Sequence, residues 1–195
     1  TAEDPVEITQ EGLRQVQMNP KAGLTFAVAM RSFLRADPDV IMVGEMRDEE
    51  TAAIGIEASL TGHLVFSTLH TNSAPETVVR LLDMGIDPFN FADSLLGILA
   101  QRLTRTLCSN CKEPYNPSKE EFEELAELYG RNYFHKLGKT YNPDLILYRP
   151  KSCPKCENSG YKGRVAVHEL LVGTDPIKKL IQRKAPVDEL REQAI

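Results

Sequence analysis

At 195 residues the chain is long enough for one domain and part of a second, with a buried core of ordinary size. Its 42% hydrophobic and 26% charged residues fit a soluble globular protein, and a net charge of −5 lacks the basic excess of a general nucleic-acid binder. The apolar run around Leu95–Ala100 is far too short to span a bilayer. Four cysteines in two CxxC pairs argue for metal binding in a reducing compartment, which points to the cytosol, rather than for a disulfide framework.

Residues 1–7 read as the exit of a strand, closed by Pro5, with Glu3 and Asp4 at its tip. Gly12–Lys21 has no clear period and is expected to be a hairpin or loop. Phe26, Ala27, Met30, Phe33 and Leu34 fall at helical spacing in Thr25–Arg35, before Pro38. Val40–Val43 is an apolar run of strand type that delivers Glu45 and Arg47. Asp48 is the expected N-cap of a helix that carries Glu49 and Glu50 in its first turn and ends at Gly62. Leu64–Phe66 is a second strand, followed by Thr68 and His70. Ser73-Ala74-Pro75-Glu76 is a capping box for a helix ending at Gly85, and Asp87-Pro88 opens another. This alternation predicts βαβ units and a parallel sheet, whose ligands bind at the carboxyl ends of the strands.

From about Leu107 the pattern changes. Ser118-x-x-Glu121 opens a helix carrying Phe122, Leu125, Leu128 and Tyr129, closed by Gly130. Residues 132–151 are polar, Tyr-rich and expected to be irregular; Val165–Val172 reads as a short strand and Pro176–Lys184 as a helix. The expected domain boundary lies near Thr106, dividing 1–106 from 107–195.

The residues at the strand ends suit phosphoryl transfer, which needs a cradle for the phosphates, a metal ion, and a group that orients the attacking water. Glu45, beyond VIMV, and Glu3 and Asp4, on the presumed neighbouring strand, are candidates for the last two services. Taken singly, each is equally readable as a solvated loop acid. His63 and His70 flank LVFSTL, where a neutral imidazole can donate to a phosphate oxygen or a neighbouring carboxylate, or sit as a helix-end or core histidine. Arg47 and Arg80, among acidic neighbours, read as simple surface ion pairs. Cys108-x-x-Cys111 and Cys153-x-x-Cys156 have the spacing of two knuckles sharing one zinc ion, with a redox pair or four free thiols as the alternatives.

Several segments together resemble the secretion ATPases that power type II secretion and type IV pilus assembly. IMVGEMRD resembles their Walker B segment, TGHLVFSTLHTN their His box and TAEDPVE their Asp box; AQRLTRTLC, the paired CxxC motifs and GYKGRVAVHELL extend the likeness along the chain. The resemblance implies an α/β fold: a partial RecA-like P-loop NTPase sheet followed by a small, mostly helical zinc-binding subdomain. The family's Walker A loop, GxxxxGK[ST], lies upstream of the Asp box and is not found here, so the chain is expected to be a fragment, inactive alone, that stops at Ile195 inside a C-terminal helical region. By resemblance, Glu3 is the general base and Glu45 the acid beside Mg²⁺, with the division of labour between them open. Asp4, His63 and His70 are nucleotide-contacting or sensing residues. Arg102 lies in a segment near the nucleotide side, where a structural or interfacial role is equally expected.

The implied cofactors are Mg²⁺ with ATP and a structural Zn²⁺. The implied assembly is a homo-hexameric ring, peripheral on the cytoplasmic face of the inner membrane. There it contacts the cytoplasmic parts of secretion or pilus platform proteins, with no nucleic acid. The other readings are a zinc-dependent docking module without chemistry of its own and a DNA-translocating ATPase.

Overall fold

The computed structural model describes residues 1–194, so Ile195, the expected stopping point in a helical region, lies outside the described residues. The chain opens with β1 (Ala2–Glu3), β2 (Val16–Gln17), α1 (Phe26–Phe33), β3 (Val40–Val43), α2 (Glu49–Leu60), β4 (Leu64–Ser67), α3 (Ala74–Asp83) and α4 (Pro88–Ser94). It continues with β5 (Gly97–Leu107), β6 (Glu113–Tyr115), α5 (Lys119–Tyr129), α6 (Arg131–Phe134), β7 (Leu147–Arg149), β8 (Tyr161–Val172), α7 (Asp175–Gln182) and α8 (Val187–Ala194). The helix starts follow from their caps. Thr25, Asp48, Ser73, Asp87 and Ser118 each accept first-turn N–H groups that no helical carbonyl reaches, Asp48 from Thr51 at 2.8 Å and Ser118 from Glu121 at 3.2 Å.

Two compact units emerge. The first comprises residues 1–100 together with 169–194, and the second residues 101–168. This differs from a single cut near Thr106, because α7 and α8 return to the first unit. Ile177, Ile181 and Leu190 are buried in one cluster with Val78 and Leu81 of α3, Phe91 of α4 and Leu171 of β8.

In the first unit, β2-β1-β3-β4 form a parallel sheet, with Ala2 opposite Val16 and Val43, and Val40 through Val43 opposite Leu64 through Ser67. The α/β parallel fold expected from the sequence is therefore present, and β2 lies inside the stretch read as a hairpin or loop. A second core, between this sheet and helices α1 and α2, holds Ala2, Phe26, Met30, Ile41, Val43, Ile54 and Ala58. The apolar run VIMV is half-buried. Ile41 and Val43 face the helices, while Val40 and Met42 are exposed beside the equally exposed Leu64 and Phe66. Alternate side chains leave opposite faces of a strand, and the described residues clad this sheet on one face.

The second unit mixes strand and helix rather than being mostly helical. β6 and β7 pair antiparallel, Glu113 opposite Arg149 and Tyr115 opposite Leu147, and β7 lies inside the region read as irregular. α5 packs Phe122 edge-on against Phe134 and Tyr141, with ring centroids 5.4 and 5.7 Å away. β5 and β8 pair with each other.

Ile181→Ala is expected to cost the first unit about 2–5 kcal/mol, the range for a truncated core aliphatic. Urea unfolding measures this, and a loss no larger than that of a surface substitution would contradict the return of α7 and α8 to this core.

Candidate functional site

Parallel strands bring their carboxyl ends to one edge, and the backbone ladder continues past the strands there. Gly44 N donates to Ala2 O at 2.8 Å, and Met46 N to Thr68 O at 3.1 Å. The ends of β1, β3 and β4 are thus laced together, with Glu3, Glu45 and Thr68 along the lacing. Gly44 permits the approach of β1: a Cβ there would lie 3.1 Å from Ala2 O and 3.5 Å from Glu3 Cα. Thr68 Oγ1 adds a bond to Gly44 O at 2.5 Å.

Three of the side chains meet: Glu45, Arg47 and His70. Glu45 is only 13% exposed; it is hydrogen-bonded by Arg47, and His70 Nε2 lies 3.7 Å from its other oxygen. The Arg47 hydrogen bond, more than the charges of Arg47 and His70, holds the Glu45 carboxyl below the usual range against the opposing effect of burial. Glu3 accepts from Thr1 Oγ1 at 2.5 Å and from Gln15 Nε2 at 3.0 Å, and these two bonds lower its pKa as well. Asp4 is exposed at the tip of β1; its charge is the least of the influences that raise the pKa of Arg47, led by the Glu45 bond. The edge therefore carries ionised carboxylates at neutral pH, an arginine and an imidazole. Such a set can hold a hydrated cation and orient water.

His63 is not brought to this edge. It precedes β4, roughly 13 Å of strand from the His70 end, and its Nδ1 lies 3.0 Å from Ala58 O and 3.3 Å from Thr61 Oγ1. It ties the C-terminus of α2. Arg102 is exposed on β5 and belongs to the second unit. Arg47, read from the sequence as a surface ion pair, is one, and its partner is Glu45. The signal available for it was its position two residues beyond the acid, on the same strand exit.

In the second unit the four thiols form one cluster, all sulfurs within 4.8 Å of one another. Separations of 4.0 Å (Cys108 to Cys153), 3.8 Å (Cys111 to Cys156) and 3.6 Å (Cys153 to Cys156) bracket the edge of about 3.8 Å of a tetrahedron with metal–sulfur bonds of about 2.3 Å. Gly160 N donates to Cys156 Sγ at 3.3 Å, and Asn110 Nδ2 approaches Cys153 Sγ at 3.6 Å, donors that suit thiolates. Burial and then the neighbouring thiols push Cys111 up to about 12. Burial also raises Cys156, but hydrogen bonds to Cys153 and Gly160 and from its thiol neighbours bring it down to about 6. A bound cation is what would let four thiols so close together all be held as thiolates. The residues fit a closed tetrathiolate metal site. Arg149 and Lys151 pair with Glu113, and Lys112 lies over the Tyr148 ring at 4.2 Å, so these cations already have partners.

The family described as "Type II/IV secretion system protein" matches residues 1–195. The chain is 53% identical over 185 residues to the type II secretion system ATPase E of Vibrio cholerae, covering 95% of this chain and 34% of that protein. It is 48% identical over 198 residues to the type IV pilus assembly ATPase PilB of Thermus thermophilus, covering 100% of this chain and 21% of that one. The crystal structure of the pilus retraction motor PilT with bound ADP superposes with a TM-score of 0.60 at 27% identity, over 98% of this chain and 42% of that chain. The chain thus spans about a third or less of the length of these two curated relatives.

Arg47→Ala is expected to raise the midpoint at which the Glu45 carboxyl titrates, followed by NMR of labelled glutamate. A lowered folded-state pKa contributes stability above the unfolded value and loses it as pH falls through the folded one, so the variant should be only slightly less stable near neutrality, Arg47 being largely exposed, and converge with its parent in acid. An unmoved midpoint would contradict the pairing.

Proposed function

This chain belongs to the type II/IV secretion system protein family, and on that premise we propose that its first unit is the carboxylate half of an ATP site in a motor that drives pseudopilus or pilus assembly. The observation that supports this most is the meeting of Glu45, Arg47 and His70 at the laced ends of β3 and β4, with Glu3 on the adjoining strand. Mg²⁺, when bound with ATP, offsets the charge of the phosphates. Glu45, the more enclosed acid, holds the hydrated metal ion; Glu3, braced by Thr1 and Gln15, accepts the proton of the attacking water. His70 donates from its imidazole toward the terminal phosphate, and Asp4 adds negative charge that keeps Arg47 at this edge. His63 acts through α2, by tying its C-terminus, and Arg102 contacts nucleotide or a neighbouring subunit from its own unit.

The rest of the longer protein supplies the phosphate cradle. It packs on the exposed sheet face of Val40, Met42, Leu64 and Phe66 and along the open edge of β4. Parallel sheets are ordinarily covered on both faces, which supports this placement. The whole protein assembles as a hexameric ring on the cytoplasmic side of the inner membrane, facing the platform proteins of the secretion or pilus machine. No described helix is long and apolar enough to cross a membrane. The higher identity to a secretion ATPase and an assembly ATPase than to the retraction motor favours export or extension over retraction.

The cysteine cluster holds a structural zinc ion through Cys108, Cys111, Cys153 and Cys156. Four thiolates leave no open position for chemistry, so the ion staples a unit whose own core is little more than Phe122, Ala126 and their aromatic neighbours.

Two experiments test these readings. In the full-length protein, Glu45→Gln should retain ATP and lose turnover by a factor on the order of 10²–10⁴, as loss of an ionised catalytic carboxylate does. Phosphate release at a near-normal rate removes Glu45 from the mechanism. Metal analysis of the purified chain should give about one zinc ion per chain, bound less tightly as pH falls and the thiolates protonate. A zinc-free chain whose melting is indifferent to chelator rules out the tetrathiolate site.

A further inference from the structure

His70 is positioned by its backbone. Its imidazole is 89% exposed, so packing does not fix it, and its 3.7 Å approach to Glu45 depends on where the flanking chain is tied. On the N-terminal side the ties run to the end of β3, through Thr68 Oγ1 to Gly44 O and Met46 N to Thr68 O. On the C-terminal side the chain enters α3 within four residues.

The start of α3 is knotted by its own side chains. Ser73 Oγ accepts from Glu76 N at 3.3 Å, Glu76 Oε2 accepts from Asn72 N at 3.2 Å, and the hydroxyls of Thr71 and Thr77 meet at 2.6 Å. Pro75 has no N–H to satisfy. The remaining first-turn donor is the N–H of Ala74, a residue with no exposed surface. A carboxylate 95 positions along the chain takes it: Glu169 Oε2, at 2.9 Å. Glu169 is carried on β8 two residues before Leu171, which is fully buried in the same core as Ala74 and Val78. The acceptor is thus mounted on a strand anchored in the core that α3 packs against.

We infer that Glu169 is a positioning residue for His70, an inference that rests on the nucleotide reading of this edge. Its carboxylate clamps the start of α3 to β8, and the loop carrying the imidazole is thereby suspended from two fixed points, β3 before it and β8 after it. Glutamine at 169 keeps an acceptor at the same reach without the charge. Aspartate keeps the charge but is one methylene short, and alanine has neither.

The test uses the 195-residue chain with labelled histidine Cε1, its four histidines assigned by single substitutions. Glu169→Ala and Glu169→Asp are expected to displace or broaden the His70 signal while His63 and His135 stay in place, and Glu169→Gln is expected to leave His70 where it is. An unmoved His70 signal in both the Ala and Asp variants overturns the clamp. So does an equal displacement by Gln, which assigns the effect to charge. If the Ala variant does not fold, the Asp and Gln pair makes the same comparison. In the full-length protein, Glu169→Asp should lower kcat on the order of tenfold with little change in KM for ATP, a misplacement effect that Gln rescues. Should His70→Ala hydrolyse ATP at the parent rate, the nucleotide reading of the edge fails, and the NMR comparison still decides the clamp.

Discussion

The parallel register of β1, β3 and β4 is the constraint on which the rest depends. With Ala2 opposite Val43 and Val43 opposite Ser67, whatever follows each strand must emerge at one edge. The ladder bonds from Gly44 to Ala2 and from Met46 to Thr68 fix the first residues beyond the strands as firmly as the strands themselves. That is how short strands can hold reactive groups in place. A slip of one residue in β3 would turn Ile41 and Val43 out of the α1–α2 core and send Glu45 to the other face.

Much of this was legible, because the signals were local. Asp48, Ser73, Asp87 and Ser118 announce helix starts through side chains that reach only a few residues, and each cap forms as its sequence implies. Gly62 and Gly85, at φ of 102° and 95°, follow their helices in the left-handed region where glycine is favoured. The two CxxC turns likewise announce their cluster, since neighbouring thiols on a tight turn have few other ways to point.

What escaped the sequence was non-local. β5 is longer than any strand of the main sheet, yet it pairs with β8, which the sequence marked only over Val165–Val172, and its residues 101–106 are all exposed, so no alternation of burial runs through GILAQRLTRTL. VIMV is apolar at every position, so composition could not reveal that only two of its side chains face the helices. The return of α7 to the first unit depends on Ile177 and Ile181 meeting residues about a hundred positions earlier, and nothing in DPIKKLIQ names that partner. His63 and His70 are a different case. They flank the same strand and look equivalent in a motif, but strand polarity alone puts them at opposite ends of the sheet. That distinction was available before any coordinates.

The electrostatics of the edge follow from the same geometry. A chain of net charge −5 gathers Glu3, Asp4 and Glu45 at neighbouring strand ends. Gln15 and Thr1 hydrogen-bond Glu3, and Arg47 bonds Glu45 with His70 beside it. These bonds stabilise the charged form, so the acids are ready to act as ligands or bases rather than resting protonated. The Arg47 side chain is itself 61% exposed, and an ion pair so open to water contributes little net stability and is released at little cost. Arg47 is therefore suited to keeping Glu45 ionised and oriented without locking it in place.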